Sequence, residues 1–261
     1  MGSMIHGLTV PGSIEAAQRR NGFTRGAFGW LTNAPWGNPA FSGMFLSLVM
    51  FGFIGGISGV VLGTEQLNVL MHNTIYVPGH FHGTVVAGTT LAFMAVTYLV
   101  LPLIFQREVI WPTVAKWQPY VFGIGAGGIS LFMMGAGTLG VARRHWDIAL
   151  TDAAHAYEYP AAAYLMMGLN GIFAVMAAIG GAMYILVTVG TVLFGKRLDG
   201  PQTEPLVFPL HSGGAQAVSS YGSHATVKLP GTLILVGIFF ASFVLYYFVN
   251  WKYLSDLWLF R

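Results

Sequence analysis

From position 40 to position 63 the chain runs for 24 residues, AFSGMFLSLVMFGFIGGISGVVLG, without one charged side chain. At 1.5 Å per residue a helix of that length covers roughly 36 Å, enough to cross the hydrocarbon of a bilayer at a tilt. Four more long apolar stretches follow, at about 74–105, 119–140, 159–194 and 230–253, with Lys252 near the end of the last as their one charged side chain. Charged residues make up 8% of the chain and hydrophobic ones 55%, whereas a soluble domain carries about a quarter of its residues charged. The fold class that follows is all-α: a polytopic membrane helix bundle forming one domain over residues 1–261, with five complete transmembrane helices. Disordered, fibrous and nucleic-acid-binding classes fall away. The opening residues, MGSMIHGLTVPG, are apolar but too short to cross and lack a signal peptide's charged front and cleavage site, so 1–14 reads as a partial helix.

Counting Lys and Arg over alternate connections puts Arg19, Arg20, Arg25, Arg107, Lys116, Lys196, Arg197 and Lys228 on one side, and Arg143, Arg144, Lys252 and Arg261 on the other. Eight against four places the first group in the cytoplasm, with the connections at 64–73 and 141–158 and the carboxyl terminus outside. Cysteine is absent, which removes disulfides, thiolate metal sites and iron–sulfur clusters. His, Met, carboxylates and backbone oxygens remain as ligands. Glycines at small-xxx-small spacing, such as Gly55, Gly59 and Gly63, let membrane helices approach closely. The 12 methionines, Met133-Met134 and Met166-Met167 among them, read as flexible packing, and 196–229 reads as an irregular loop.

The second stretch opens HNTIYVPGHFHGTVV, which sets His72, His80 and His82 at or inside the membrane boundary. Ionisable residues at that depth are functional by default. Positions two apart on an α-helix point about 200° apart, so His80 and His82 address two objects on opposite faces rather than one metal. Two haem irons satisfy that requirement, because imidazole is an axial haem ligand. Two hydrogen-bonded interior histidines are the alternative. Arg143-Arg144 ends the third stretch on the side where the second begins, so its guanidiniums can clamp haem propionates above His80 or serve as a headgroup anchor.

The run HNTIYVPGHFHGTVV, the preceding APWGNPAF at 34–41 and the ARR at 142–144 together resemble subunit I of the haem-copper oxygen reductases, in their B-type branch, over nearly the whole chain. The resemblance implies that His80 is the proximal ligand of the high-spin haem (a- or o-type) where oxygen is reduced, and His82 an axial ligand of the low-spin haem (b- or a-type). Phe81 between them either mediates contact between the haems or simply packs. His72 matches a propionate-side position, with Asn68 and Asn73 as companions; Asn68 stands where B-type members can carry Asp. Ser3, His6 and Thr9 recur every three residues and match the polar positions of a helix that leads protons to the haem–copper centre, with His6 in place of the usual hydroxyl. End-of-helix polarity is the plainer account of those three.

The resemblance further implies copper at the binuclear centre, held by three histidines that precede the region seen here. A tyrosine beside the copper and the second axial histidine of the low-spin haem precede it too. The chain therefore reads as the carboxyl-terminal part of subunit I, either completed by an N-terminal part as a separate chain, which is the favoured reading, or cut from a longer subunit. The further partners implied are an electron-entry subunit resembling subunit II, cytochrome c or another donor, and the lipid of a prokaryotic plasma membrane. The activity implied is reduction of oxygen to water coupled to proton translocation. A nitric oxide reductase of the same superfamily and a haem-free transporter or channel scaffold are the other two readings. Asp147, Asp152 and Glu158 read as a solvated rim or a donor-docking edge, and His145, His155, His211 and His224 as loop residues without assigned chemistry.

Overall fold

The computed structural model describes residues 2–20, 22–23, 25–144, 158–198 and 228–256, with side chains from residue 8 onward. Among the described residues there is no β-strand, and five helices are long and apolar enough to cross a membrane. The principal helices are α1 Gly2–Arg20, α2 Pro39–Gly63, α3 Glu65–Met71, α4 Tyr76–Phe105, α5 Pro112–Thr138, α6 Ala161–Phe194 and α7 Pro230–Ser255. The five spans are α2, α4, α5, α6 and α7.

The NPAF segment shows how local chemistry starts a span. Asn38 caps α2, its side-chain oxygen accepting from the amides of Ala40 at 2.9 Å and Phe41 at 3.3 Å, and Pro39 takes the first helical position, where no amide is needed. Three boundaries differ from the sequence reading. Helix α1 runs through Pro11 to Arg20 instead of stopping at 14. Arg19 pairs with Glu15 one turn back at 2.8 Å, and two arginines in the last turn suit the negative end of the helix dipole. Helix α5 begins at Pro112, so the proline taken as its start, Pro119, lies buried inside it, a placement membrane helices tolerate where neighbours pack around the break. Helix α4 begins at Tyr76, which leaves His72 outside the helix and His80 roughly 6 Å from its start.

Helix α5 is the centre of the bundle. Of its most apolar stretch 56% is buried, against 6% for α7 at the periphery. Small residues make the central packing possible: a methyl group at Gly137 would overlap the Tyr76 backbone of α4, and one at Gly180 of α6 would lie 2.5 Å from the Phe122 amide nitrogen. Met134 is buried in the core between α2, α4 and α5, and Met133, Met166 and Met167 pack around Ala136 and Ala163, as flexible gap-fillers do.

Helix α7 is tied to α1 by polar contacts. The Glu15 carboxylate accepts from the Gly231 amide at 3.0 Å and from the Thr232 amide and hydroxyl at 2.6 and 2.7 Å. Burial alone would raise this carboxyl, but the Thr232 hydroxyl and amide, Arg19 and the Gly231 amide outweigh it and hold it below the ordinary carboxylate value.

Candidate haem-ligand site

The site is built from α4 and the inner part of α2. Each of these spans contains a wide, π-helical segment, Met50–Gly56 in α2 and His82–Thr90 in α4, and the two pack against each other. Segments of this kind are uncommon and recur at functional sites. Their approach is close, because a methyl group on Gly55 would stand 2.5 Å from the Thr84 side chain.

His80 turns towards α2. Its Nδ1 lies 2.9 Å from the Oγ of Ser58, a fully buried hydroxyl. Ser58 has one proton to give, and backbone carbonyls of its own helix receive it, at Gly55 (3.0 Å) and Ile54. With that proton given to a carbonyl, the Ser58 oxygen can accept an Nδ1–H from His80, the tautomer that leaves the lone pair on Nε2. Gly59 keeps the ring's flank open, since a Cβ there would sit 3.1 Å from the imidazole Cε1. His82 reaches the same tautomer through its own helix. Its Nδ1 is 2.7 Å from the Pro78 carbonyl, which can only accept, so Nδ1 carries the proton and Nε2 is again free. Between them Phe81 is 55% exposed, its ring centroid 5.6 Å from that of His80.

This donor set fits haem iron. An axial histidine coordinates through a neutral imidazole nitrogen while its other N–H is held by a carbonyl or hydroxyl, which fixes tautomer and ring orientation. Among the described residues no three His, Asp or Glu side chains gather as a metal cluster. The imidazoles are offered singly.

The Arg doublet is fixed to the Tyr76 end of α4 by a one-residue antiparallel pairing of Thr74 with Ala142. The Ile75 amide donates to the Val141 carbonyl at 2.9 Å and the Arg143 amide to the Asn73 carbonyl at 2.8 Å. Asn73 and Arg144 both take left-handed backbone conformations, φ 63° and 67°, unusual for residues other than glycine and asparagine. His72, Asn73 and Arg144 are exposed and Arg143 is half-buried, so the predicted propionate-side residues meet at one end of the histidine helix. Asn68 is the exception. Its amide nitrogen donates to the Leu62 carbonyl at 2.8 Å and secures the turn after α2.

The α1 register carries positions 3, 6 and 9, of which Thr9 is exposed; the side chains of Ser3 and His6 are outside the described set. Asp147, Asp152, His145, His155, His211 and His224 also lie outside the described residues, whereas Glu158 is exposed. Ser58 and the Pro78 carbonyl were missed by sequence reasoning. Ser58 had a signal, a hydroxyl two residues after a glycine pair in an uncharged span; the carbonyl had none.

The family model for cytochrome c and quinol oxidase polypeptide I matches residues 3–183. This chain belongs to the subunit I family of the haem-copper oxidases. It is 31% identical over 224 residues to cytochrome c oxidase subunit 1 of Thermus thermophilus, an alignment that covers 80% of this chain and 38% of the relative. Over 101 residues it is 31% identical to quinol oxidase subunit 1 of Bacillus subtilis, covering 38% of this chain and 15% of that one. A heme-copper terminal oxidase dimer solved by cryo-EM superposes with a TM-score of 0.69 at 26% identity, covering 96% of this chain and 42% of the solved one. The chain thus spans about two fifths of the length of the Thermus subunit and of the solved oxidase chain. Haem and copper are the cofactors of the family.

Proposed function

We propose that this chain supplies the haem-ligand helix of a B-type oxidase that reduces oxygen to water. The observation that carries the reading is the pair His80 and His82, two residues apart on one membrane helix, each with Nδ1 held by a separate partner and Nε2 without a hydrogen-bond partner among the described residues. When bound, haem and copper supply electron storage and the place where oxygen takes up four electrons and four protons to give two waters.

The chain's own residues have the following parts. His80 holds the high-spin haem and Ser58 orients its ring; His82 holds the low-spin haem and the Pro78 carbonyl orients it. Phe81, between the two imidazoles in sequence, would mediate contact between the haems they hold. Arg143 and Arg144 neutralise propionates, with His72 and Asn73 beside them. Asn68 supports that end indirectly, through the turn after α2 that it secures, and makes no propionate contact of its own. Ser3, His6 and Thr9 pass protons along one side of α1 towards the centre. The copper ligands and the second axial histidine come from the N-terminal part of subunit I, and electrons arrive through a subunit II-like chain from cytochrome c or a similar donor. The complex sits in a prokaryotic plasma membrane with the Arg143 end outward, and its turnover moves protons across the bilayer.

The test is the reduced-minus-oxidised optical spectrum of the purified complex. Wild type should show two haem signals, with the low-spin one lost in His82→Ala and the high-spin one in His80→Ala. A colourless wild-type complex, or both signals retained in both variants, overturns the assignment.

A further inference from the structure

At the opposite end of α4 from the Arg143 doublet, the connection to α5 is paired with the residues that follow α6. Arg107 and Arg197 are directly opposed in a one-residue antiparallel pairing. The Glu108 amide donates to the Lys196 carbonyl at 2.9 Å and the Leu198 amide to the Gln106 carbonyl at 3.0 Å. Those bonds flank Arg107 and Arg197, which makes them the non-hydrogen-bonded pair of the ladder, the arrangement in which opposed side chains come closest, with Cα atoms about 4.5 Å apart. Like charges facing each other at that distance are destabilising.

Nothing in the described chain relieves the repulsion. Neither arginine has a carboxylate within ion-pair distance among the described residues. Glu108 is the next residue along, and alternation turns its side chain to the other side of the pairing. One Arg107 Nη donates to the Gly195 carbonyl at 2.6 Å, which holds that guanidinium in place and leaves its other donors for a ligand. The pairing itself is pinned, since the Ile110 amide donates to the Thr191 hydroxyl at 3.1 Å.

The surroundings indicate what the ligand is. Both α4 and α6 end here, and each is a span, so the arginines stand where hydrocarbon gives way to headgroups. The last turns of the two helices expose large apolar side chains, with Ile104 67%, Leu193 60% and Phe194 79% accessible, and Trp111 lies exposed beyond α4. Aromatic residues and Arg at this depth form the usual interfacial belt. We propose that Arg107 and Arg197 form a binding site for one anionic phospholipid. Its phosphate is forked between the two guanidiniums, and its acyl chains lie along Ile104 of α4 and Leu193 and Phe194 of α6.

Native mass spectrometry of the detergent-solubilised complex, titrated with phosphatidylglycerol, phosphatidylcholine or inorganic phosphate, tests this without reference to the haems. Wild type should retain phosphatidylglycerol on the order of tenfold more tightly than phosphatidylcholine, and Arg107→Gln/Arg197→Gln should lose that preference. Arg197→Gln alone changes an exposed side chain and should show part of the loss, which keeps the test open if the double variant fails to assemble. An undiminished preference in these variants overturns the proposal. So does competition by inorganic phosphate as effective as by the lipid, which would make the site one for a free anion, or an acidic segment of another subunit found crosslinked at position 197.

Discussion

The two ends of α4 are closed by the same device and differ in what it carries. At the Tyr76 end, Thr74 pairs with Ala142; at the Phe105 end, Arg107 pairs with Arg197. In the first pairing the bridged residues are neutral and rest on a core of Ile75, Val141, Ala136, Tyr159 and Ala163, so the charge appears one and two positions later, at Arg143 and Arg144. In the second the charges are the bridged residues. A neutral bridge displays cations above the helix that carries the imidazoles, whereas a cationic bridge concentrates them against each other and calls for an external anion. One ladder pair, placed at two membrane boundaries, thus serves two purposes according to which residue occupies it.

The largest expected effect comes from breaking the packing beneath the first bridge alone. Gly137→Leu drives a side chain into the Tyr76 backbone and should destabilise the complex by about 3 kcal/mol, read as a lower thermal midpoint, while leaving lipid retention at Arg107 and Arg197 unchanged. An unaltered midpoint would mean that α4 and α5 do not meet there. Next is the charge itself. Arg143→Leu or Arg144→Leu should lower haem midpoint potentials by tens of millivolts, of order 1 kcal/mol, because removing positive charge favours the oxidised haem. Arg107→Gln, at the far end, should leave them in place; equal shifts at both ends would erase the distinction drawn between the bridges.

A comparable but more local effect is expected at Glu15, remote from both bridges. Its folded pKa is depressed, so its contribution is full above the unfolded carboxyl's pKa and is lost as pH falls through the folded value. Glu15→Gln should therefore cost about 1 kcal/mol near neutral pH, and the gap to wild type should close in acid. Parallel stability curves across that range would exclude the carboxylate as the tie between α1 and α7. The smallest change is Ser58→Ala, which should keep both haems but lower the iron–histidine stretching frequency of the high-spin one, since the Nδ1–H loses its hydroxyl acceptor. An identical Raman band would return Ser58 to packing.

How much of this was legible beforehand follows from the range over which each feature is encoded. The spans were readable because lipid demands long uncharged runs, and Pro39 and Asn38 mark a start by local chemistry. Pro119 misled because a proline stops a soluble helix more surely than a membrane one. The π-helical segments leave no trace in a pattern built on a 3.6-residue period, and they widen the helix at His82 itself. The His80–His82 spacing already pointed to two separate targets, but their anchors depend on a neighbouring helix for one and a backbone carbonyl for the other. Both bridges join residues 68 to 90 positions apart in sequence, so only tertiary structure reveals that Arg107 faces Arg197.

A density map of the purified complex around α4 tests the central claim most directly. The account requires iron joined to Nε2 of His80 and, on a separate macrocycle, iron joined to Nε2 of His82, with Arg143 and Arg144 over the propionates. An α4 bordered only by side chains and lipid would contradict it.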